Sequence, residues 1–162
     1  MNTPQPTETA DVREVSSLLI PVRDQLLLVP NVSVAEIVPI GEIETVPGAP
    51  DWYLGDYRWR DLTIPLASFE TLNGSSRPVP GEDARVAVFN TTGVSDHIHF
   101  LALLVQGLPR LARVTQEELQ VRDDQEVGPC ELMHVSWAGE DAVIPDVPGI
   151  EQRVLEYLKT RV

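Results

Sequence analysis

The sequence predicts an all-β chain, a barrel or a sandwich, closed by one helix at its C-terminal end. Three observations carry this. Nine or ten short apolar runs rich in Val, Leu and Ile recur along the chain. Turn-forming Gly, Pro, Asn and Asp clusters separate them at short intervals, which is the spacing of an all-β domain rather than of βαβ units. Only the last segment, from Asp146 onward, has the 3.6-residue apolar spacing of an amphipathic helix.

The elements follow in order. Residues 1–14 are polar and contain two prolines, which predicts a flexible lead-in, with one domain over 15–162. Val15–Val22 and Gln25–Val29 read as a hairpin turning at Arg23-Asp24. After Pro30, Asn31 is placed to cap a short helical turn over Val32–Ile37; the competing reading is a strand with Val32, Val34 and Glu36 on one face. Asp51 is placed to cap a single turn, Trp52-Tyr53-Leu54, which Gly55 ends. A hairpin turning near Asp61 comes next. On its first arm Tyr57 and Trp59 alternate with Arg58 and Arg60, which sets aromatics on one face and cations on the other. Its second arm, Thr63–Ala67, carries Pro65, and a proline restricts a strand to an edge or a bulge.

Residues 73–83 are a loop by composition, and the apolar runs fall into two similar halves around it. Arg85–Asn90 is a strand, Thr91-Thr92-Gly93 a turn, and His97–Gln106 a long strand that Gly107 and Pro109 break before Ala112–Val114 resumes. The acidic stretch 115–131 accommodates one short helix, with Thr115 and Glu118 in capping-box positions. Leu132–Trp137 and Ala142–Ile144 form a last hairpin about Gly139-Glu140. Asp146 then caps the terminal helix, with Pro148 in its first turn and Ile150, Val154, Leu155 and Leu158 on one stripe.

Charge bounds the partners. Twelve Lys and Arg against 25 Asp and Glu give a net charge of −13. That argues against nucleic-acid binding and against anionic membrane surfaces, which both need a cationic patch. No apolar run approaches the roughly 20 residues that span a bilayer, and the first residues lack a secretory pattern, so the expected compartment is the cytoplasm. The single cysteine, Cys130, fits a reducing compartment and forms no internal disulfide.

Catalytic constellations are missing. Ser95-Asp96-His97 are chain neighbours that point apart in an extended segment, so they do not make a triad. His97 and His99 have ligand-like spacing on a strand, but a metal site needs a third ligand, from His134 or Cys130. Two alternatives to an interaction protein stay open on these residues: a small metal-dependent barrel enzyme using His97 and His99, and a ligand-binding barrel. The acidic run Glu117, Glu118, Asp123, Asp124 and Glu126 lacks calcium-loop spacing and reads as a solvated face.

The stretch Pro47–Leu66, PGAPDWYLGDYRWRDLTIPL, resembles the signature of CheW-like domains, approximately P-x-x-P-x-[F/W]-[I/V]-x-G followed by N-L-R-G and an I/V-P strand. Upstream, Val34-Ala35-Glu36-Ile37 is similar to the family's V-x-E-I, and Gly139–Val147 to its closing run before the final helix. The resemblance extends over nearly all of the chain beyond residue 14. It implies two five-stranded SH3-like barrels on a shared core, no catalytic site and no cofactor. It also implies an adaptor that couples chemoreceptors to a CheA-type histidine kinase. Receptor cytoplasmic tips would dock in the groove between the barrels, and the kinase's regulatory domain would pair barrel to barrel. Carried over by position, the partner-binding residues are Glu36, Ile37, Gly55 and Arg60. Arg58, Asp61, Ser68 and Gln106 stand where the family has Asn, Gly, Asp and an acidic residue. Asp61 predicts a changed hairpin turn, because positive φ suits it less than Gly. These departures resemble an accessory member, such as those of type IV pilus systems that control twitching motility. Arg60 then becomes an interface anchor, while Arg58 stays a solvated cation.

Overall fold

The computed structural model describes residues 14–161. The expected flexible segment at 1–14 therefore lies outside the described residues, except for Glu14, which begins the first strand. In chain order the elements are β1 (Glu14–Val22), β2 (Gln25–Pro30), a 3-10 turn (Asn31–Ser33), β3 (Val34–Pro39), β4 (Ile43–Glu44), β5 (Tyr53–Trp59), β6 (Leu62–Ala67) and α1 (Phe69–Leu72). There follow β7 (Arg85–Asn90), β8 (Phe100–Val105), β9 (Arg110–Thr115), β10 (Leu119–Val121), β11 (Glu131–Trp137), β12 (Glu140–Pro145) and α2 (Val147–Lys159).

The strands form two sheets, ordered β10-β11-β12-β2-β1-β9 and β3-β7-β8-β6-β5-β4. In each, five longer strands are joined by one minimal strand, β10 of three residues or β4 of two. Chain connectivity forces both sheets to curl. Six flat strands put the outer two about 24 Å apart, yet β9 reaches β10, and β3 reaches β4, through three residues each. Such a link spans at most about 14 Å, so the two edges come round toward each other. The Arg58 N–H to Glu42 carbonyl bond at 3.3 Å extends the β4–β5 pairing, and Tyr57 O–H on β5 reaches across to the Pro39 carbonyl of β3 at 2.9 Å. The fold is all-β, as the sequence predicts, and two-barrelled, as the resemblance implies, with a minimal sixth strand added to the five expected in each barrel.

The path between barrels differs from the expected halves about 73–83. The chain starts in the first barrel with β1 and β2, completes the whole second barrel with β3 to β8, and returns for β9 to β12. The spacing of apolar runs reports strand length and carries no record of sheet membership. The loop at 73–83 follows α1 between two strands of the same barrel.

The central strands are buried on both faces, which is why they read as continuous apolar runs. On β7, Val86 and Val88 fill the second barrel while Ala87 and Phe89 face the core between the barrels. On β2, Leu28 fills the first barrel while Leu27 and Val29 face the shared core. Phe69 of α1 and Ile150, Val154 and Leu155 of α2 complete that shared core. Helix α2 starts as the sequence predicts, with the Asp146 carboxylate accepting from Gly149 N–H at 3.1 Å.

Several local expectations are corrected. The helical turn predicted over Val32–Ile37 is confined to Asn31–Ser33; Pro30 occupies the N-cap position without a side-chain bond, and the β-branched remainder is β3. Tyr53 and Leu54 belong to β5 rather than to a capped turn, because Gly55 lies inside the strand at a bulge instead of ending a helix. No helix forms between Thr115 and Glu131. The side-chain bond from Thr115 Oγ1 to Glu118 Oε1 (2.8 Å) does form, but it closes a turn in which Glu118 N–H reaches the Thr115 carbonyl. The last hairpin turns at Ala138-Gly139, both at positive φ, one residue before the expected pair.

Pro65 sits in a strand with neighbours on both sides, β5 and β8, rather than at an edge. The ladder explains its tolerance. Arg60 and Asp61 form a two-residue turn, so the closing pair Trp59–Leu62 and then Tyr57–Ile64 exchange the β5–β6 bonds. Pro65, opposite Asp56, is in the alternate, outward set. On that side β8 pairs only from Leu66 onward, so the missing N–H breaks no ladder bond.

Candidate functional site

The β5–β6 turn and the edge strand β3 meet at the seam of the second barrel. Arg60 and Asp61 occupy the turn with φ of 48° and 63°. That pair of positive angles is the type I′ geometry matching the twist of a two-residue hairpin. Asp61 therefore takes the left-handed conformation itself, a modest cost for an Asp side chain.

Arg60 does not share a face with Arg58, as strict alternation predicted. The turn geometry swings its side chain back over Trp59, with the guanidinium carbon 4.9 Å from the ring centroid. One guanidinium nitrogen lies 3.2 Å from Glu36 Oε1 on β3. The same oxygen accepts the Trp59 indole N–H at 2.8 Å. The Trp59 ring, 6% exposed, is held edge-on against Phe100 at 4.8 Å. The Arg60 side chain is 66% exposed and that of Glu36 36%. Arg58 points outward and is exposed.

Of the four residues carried over from the resemblance, the structure brings Glu36 and Arg60 into contact. Ile37, next to Glu36 on β3, turns to the other face, partly buried on the shared core and paired with Ala87. Gly55 lies further back along β5, with φ of 150°, where an added Cβ would come 2.6 Å from the Glu44 carbonyl oxygen. Gly55 thus serves the close approach of β4 and β5. Trp59 is the residue sequence reasoning missed: its ring is core, as alternation predicts, but its N–H reaches a residue 23 positions upstream. No sequence spacing reports that contact.

The other end of β5 is tied to α2. Arg161 makes two bonds of 3.0 Å to the Asp56 carboxylate, and Tyr53 O–H donates to it at 2.5 Å. The guanidinium holds the Asp56 carboxyl below the usual range, and burial, with Asp56 beside it, pushes the Tyr53 phenol up. Trp52 packs edge-on to Tyr157, whose ring lies tilted against Tyr53 at 4.7 Å.

The histidines are placed otherwise than expected. The strand begins at Phe100, so His97 and His99 lie in the preceding loop, where they line a groove of about 290 Å³ with Leu62, Ile64, Phe100 and Leu158. His134 lies elsewhere, 2.7 Å from the buried Glu131. Burial pushes Glu131 up, but bonds from Gly128, Gln25 and Asn73 and the nearby His134 outweigh it and hold the carboxyl low. Cys130 is buried, its Sγ 3.5 Å from the Leu72 carbonyl, and burial raises its thiol pKa. Among the described residues no group of three or more His, Cys, Asp or Glu is arranged to hold a metal ion.

The CheW-like domain profile matches residues 16–154. No curated protein matches the sequence. Among solved structures, the scaffolding protein TtCheW from Thermoanaerobacter tengcongensis superposes with a TM-score of 0.70 at 13% identity, over 82% of this chain and 89% of that one. At that identity the likeness speaks to the fold, and it is the same two-barrel fold. With the family's profile running through both barrels and into α2, this chain belongs to the CheW-like domain family, whose members are non-enzymatic scaffolds of chemotaxis signalling.

Proposed function

We propose that the chain is a cytoplasmic adaptor coupling the cytoplasmic tip of a chemoreceptor to the regulatory domain of a CheA-type histidine kinase. The family membership over residues 16–154 carries this reading. The surface geometry supports it. Half-buried Glu36 and exposed Arg60 pair at the closing edge of the second barrel, the edge to which a partner's barrel would pair in this reading. The two segments that cross between barrels each carry an exposed apolar side chain, Val32 at 84% and Leu108 at 63%. Apolar exposure at a crossover suits a helical hairpin seated between the barrels. Among the described residues no helix is long and apolar enough to cross a membrane, so attachment to a receptor array runs through protein contacts in this reading.

The setting we propose is an accessory one, such as a type IV pilus system controlling twitching motility. Its support is the set of departures from the family pattern at Arg58, Asp61, Ser68 and Gln106. The fold accommodates two of them locally: Asp61 adopts the turn, and Ser68 caps α1 by accepting from Thr71 N–H at 3.2 Å.

Co-sedimentation of the purified chain with a CheA-type regulatory domain and with a receptor cytoplasmic hairpin tests the proposal. Binding to either at tens of micromolar or below is expected; absence of binding to both removes it. Arg60→Glu is expected to weaken the association while leaving the fold intact, since an exposed ion pair contributes at most about 1 kcal/mol to stability.

A further inference from the structure

We infer that Trp59 is a positioning residue for the partner contact, ordering the Glu36–Arg60 pair from inside the barrel; the inference rests on the partner-binding reading above. An ion pair as exposed as this one does not order itself. Two long side chains in water lose rotamer freedom on pairing, which cancels most of the attraction. Here a third group removes that freedom. Trp59 is 6% exposed and locked edge-on to Phe100, so its N–H is a fixed donor. At 2.8 Å it pins Glu36 Oε1, and the pinned oxygen takes Arg60 at 3.2 Å. The indole face gives the guanidinium a second support at 4.9 Å.

One buried side chain therefore fixes the carboxylate by a charge-assisted bond and the cation by its ring. With 66% of the Arg60 side chain and 36% of the Glu36 side chain exposed, the pair presents a guanidinium beside a carboxylate to solvent. A partner group offering an acceptor beside a donor, as an amide does, fits both at once. Ordering before contact lowers the entropy lost on binding, so Trp59 acts on affinity without touching the partner.

The test compares wild type with Trp59→Phe, which keeps a ring on Phe100 and removes the N–H. Side-chain ¹⁵N relaxation of the Arg60 Nε–H group in the free protein is expected to show restricted motion in wild type and faster, wider motion in the variant. The Trp59 indole N–H resonance in wild type is expected to shift in Glu36→Gln. Affinity for the regulatory domain is expected to fall about three- to tenfold, with the variant still fully folded at the assay temperature although the smaller core ring lowers its melting temperature by a few degrees. Equal Arg60 mobility in the two proteins, or unchanged affinity in the variant, overturns the inference. So does an affinity loss that merely follows a large loss of stability. If wild type binds neither the domain nor a receptor cytoplasmic hairpin, the adaptor reading falls, and the Arg60 relaxation still decides whether Trp59 orders the pair.

Discussion

Replacing Gly55 by alanine separates a structural glycine from a contact residue. Gly55 has φ of 150°, and a Cβ there would lie 2.6 Å from the Glu44 carbonyl oxygen and 2.7 Å from Ile43 Cγ2. Backbone strain for an L-residue in that region costs about 1–3 kcal/mol, and overpacking against a paired strand adds about 1–3 kcal/mol. The carbonyl belongs to β4, the strand that closes the barrel, so relief requires moving the seam itself. A loss of about 4 kcal/mol lowers the melting temperature of a chain this size by roughly 8–16 °C. Gly81→Ala is the control: nothing lies within 4 Å of its Cβ position, and its effect should stay within about 0.5 kcal/mol. Thermal and urea unfolding followed by far-UV circular dichroism reads both. A Gly55→Ala protein within about 1 kcal/mol of wild type would refute the packing of β4 on the bulge. Folded Gly55→Ala protein should keep wild-type affinity for the regulatory domain, because no side chain at 55 reaches the surface.

Other consequences follow from the same geometry. Asp56 and Glu131 both have lowered pKa values, Asp56 through Arg161 and Glu131 through its donors acting against burial. A depressed carboxyl stabilises the fold above its unfolded pKa of about 4, and that stability is lost as pH falls through the folded value. Urea midpoints should therefore drop from about pH 4 downward, and Asp56→Asn with Glu131→Gln should flatten that slope while lowering stability at pH 7. Cys130, buried with a raised thiol pKa, should react with a thiol reagent only after unfolding; rapid labelling of native protein would contradict its placement. Arg60→Glu should leave the circular dichroism spectrum and melting temperature near wild type, whereas a large melting shift would make Arg60 structural rather than partner-facing.

The sequence discloses strands better than their assembly. Runs such as Leu26–Val29 and Val86–Phe89 are apolar at every position because each face has its own core, so strand identity is legible and the owning barrel is not. The terminal helix is legible down to its Asp146 cap, since capping is local. The Thr115–Glu118 pair misleads because the same side-chain bond closes a turn as readily as a helix. At the candidate site, Glu36 and Arg60 are found through the family pattern, and alternation placed Arg60 on the wrong face. Alternation holds only while φ stays extended, and Arg60 at 48° has already left the strand. The Trp59 contact requires β3 and β5 to be brought together by barrel closure, which no local rule encodes.

The central claim is that this scaffold meets its signalling partner through the edge built by β3 and the β5–β6 turn. Amide hydrogen exchange of the chain with and without a CheA-type regulatory domain measures that most directly. The account predicts added protection concentrated at Glu36–Ile37 and Arg58–Leu62, with the first barrel's β10–β11 hairpin unchanged. Protection confined to the first barrel, or none anywhere at saturating partner, contradicts it.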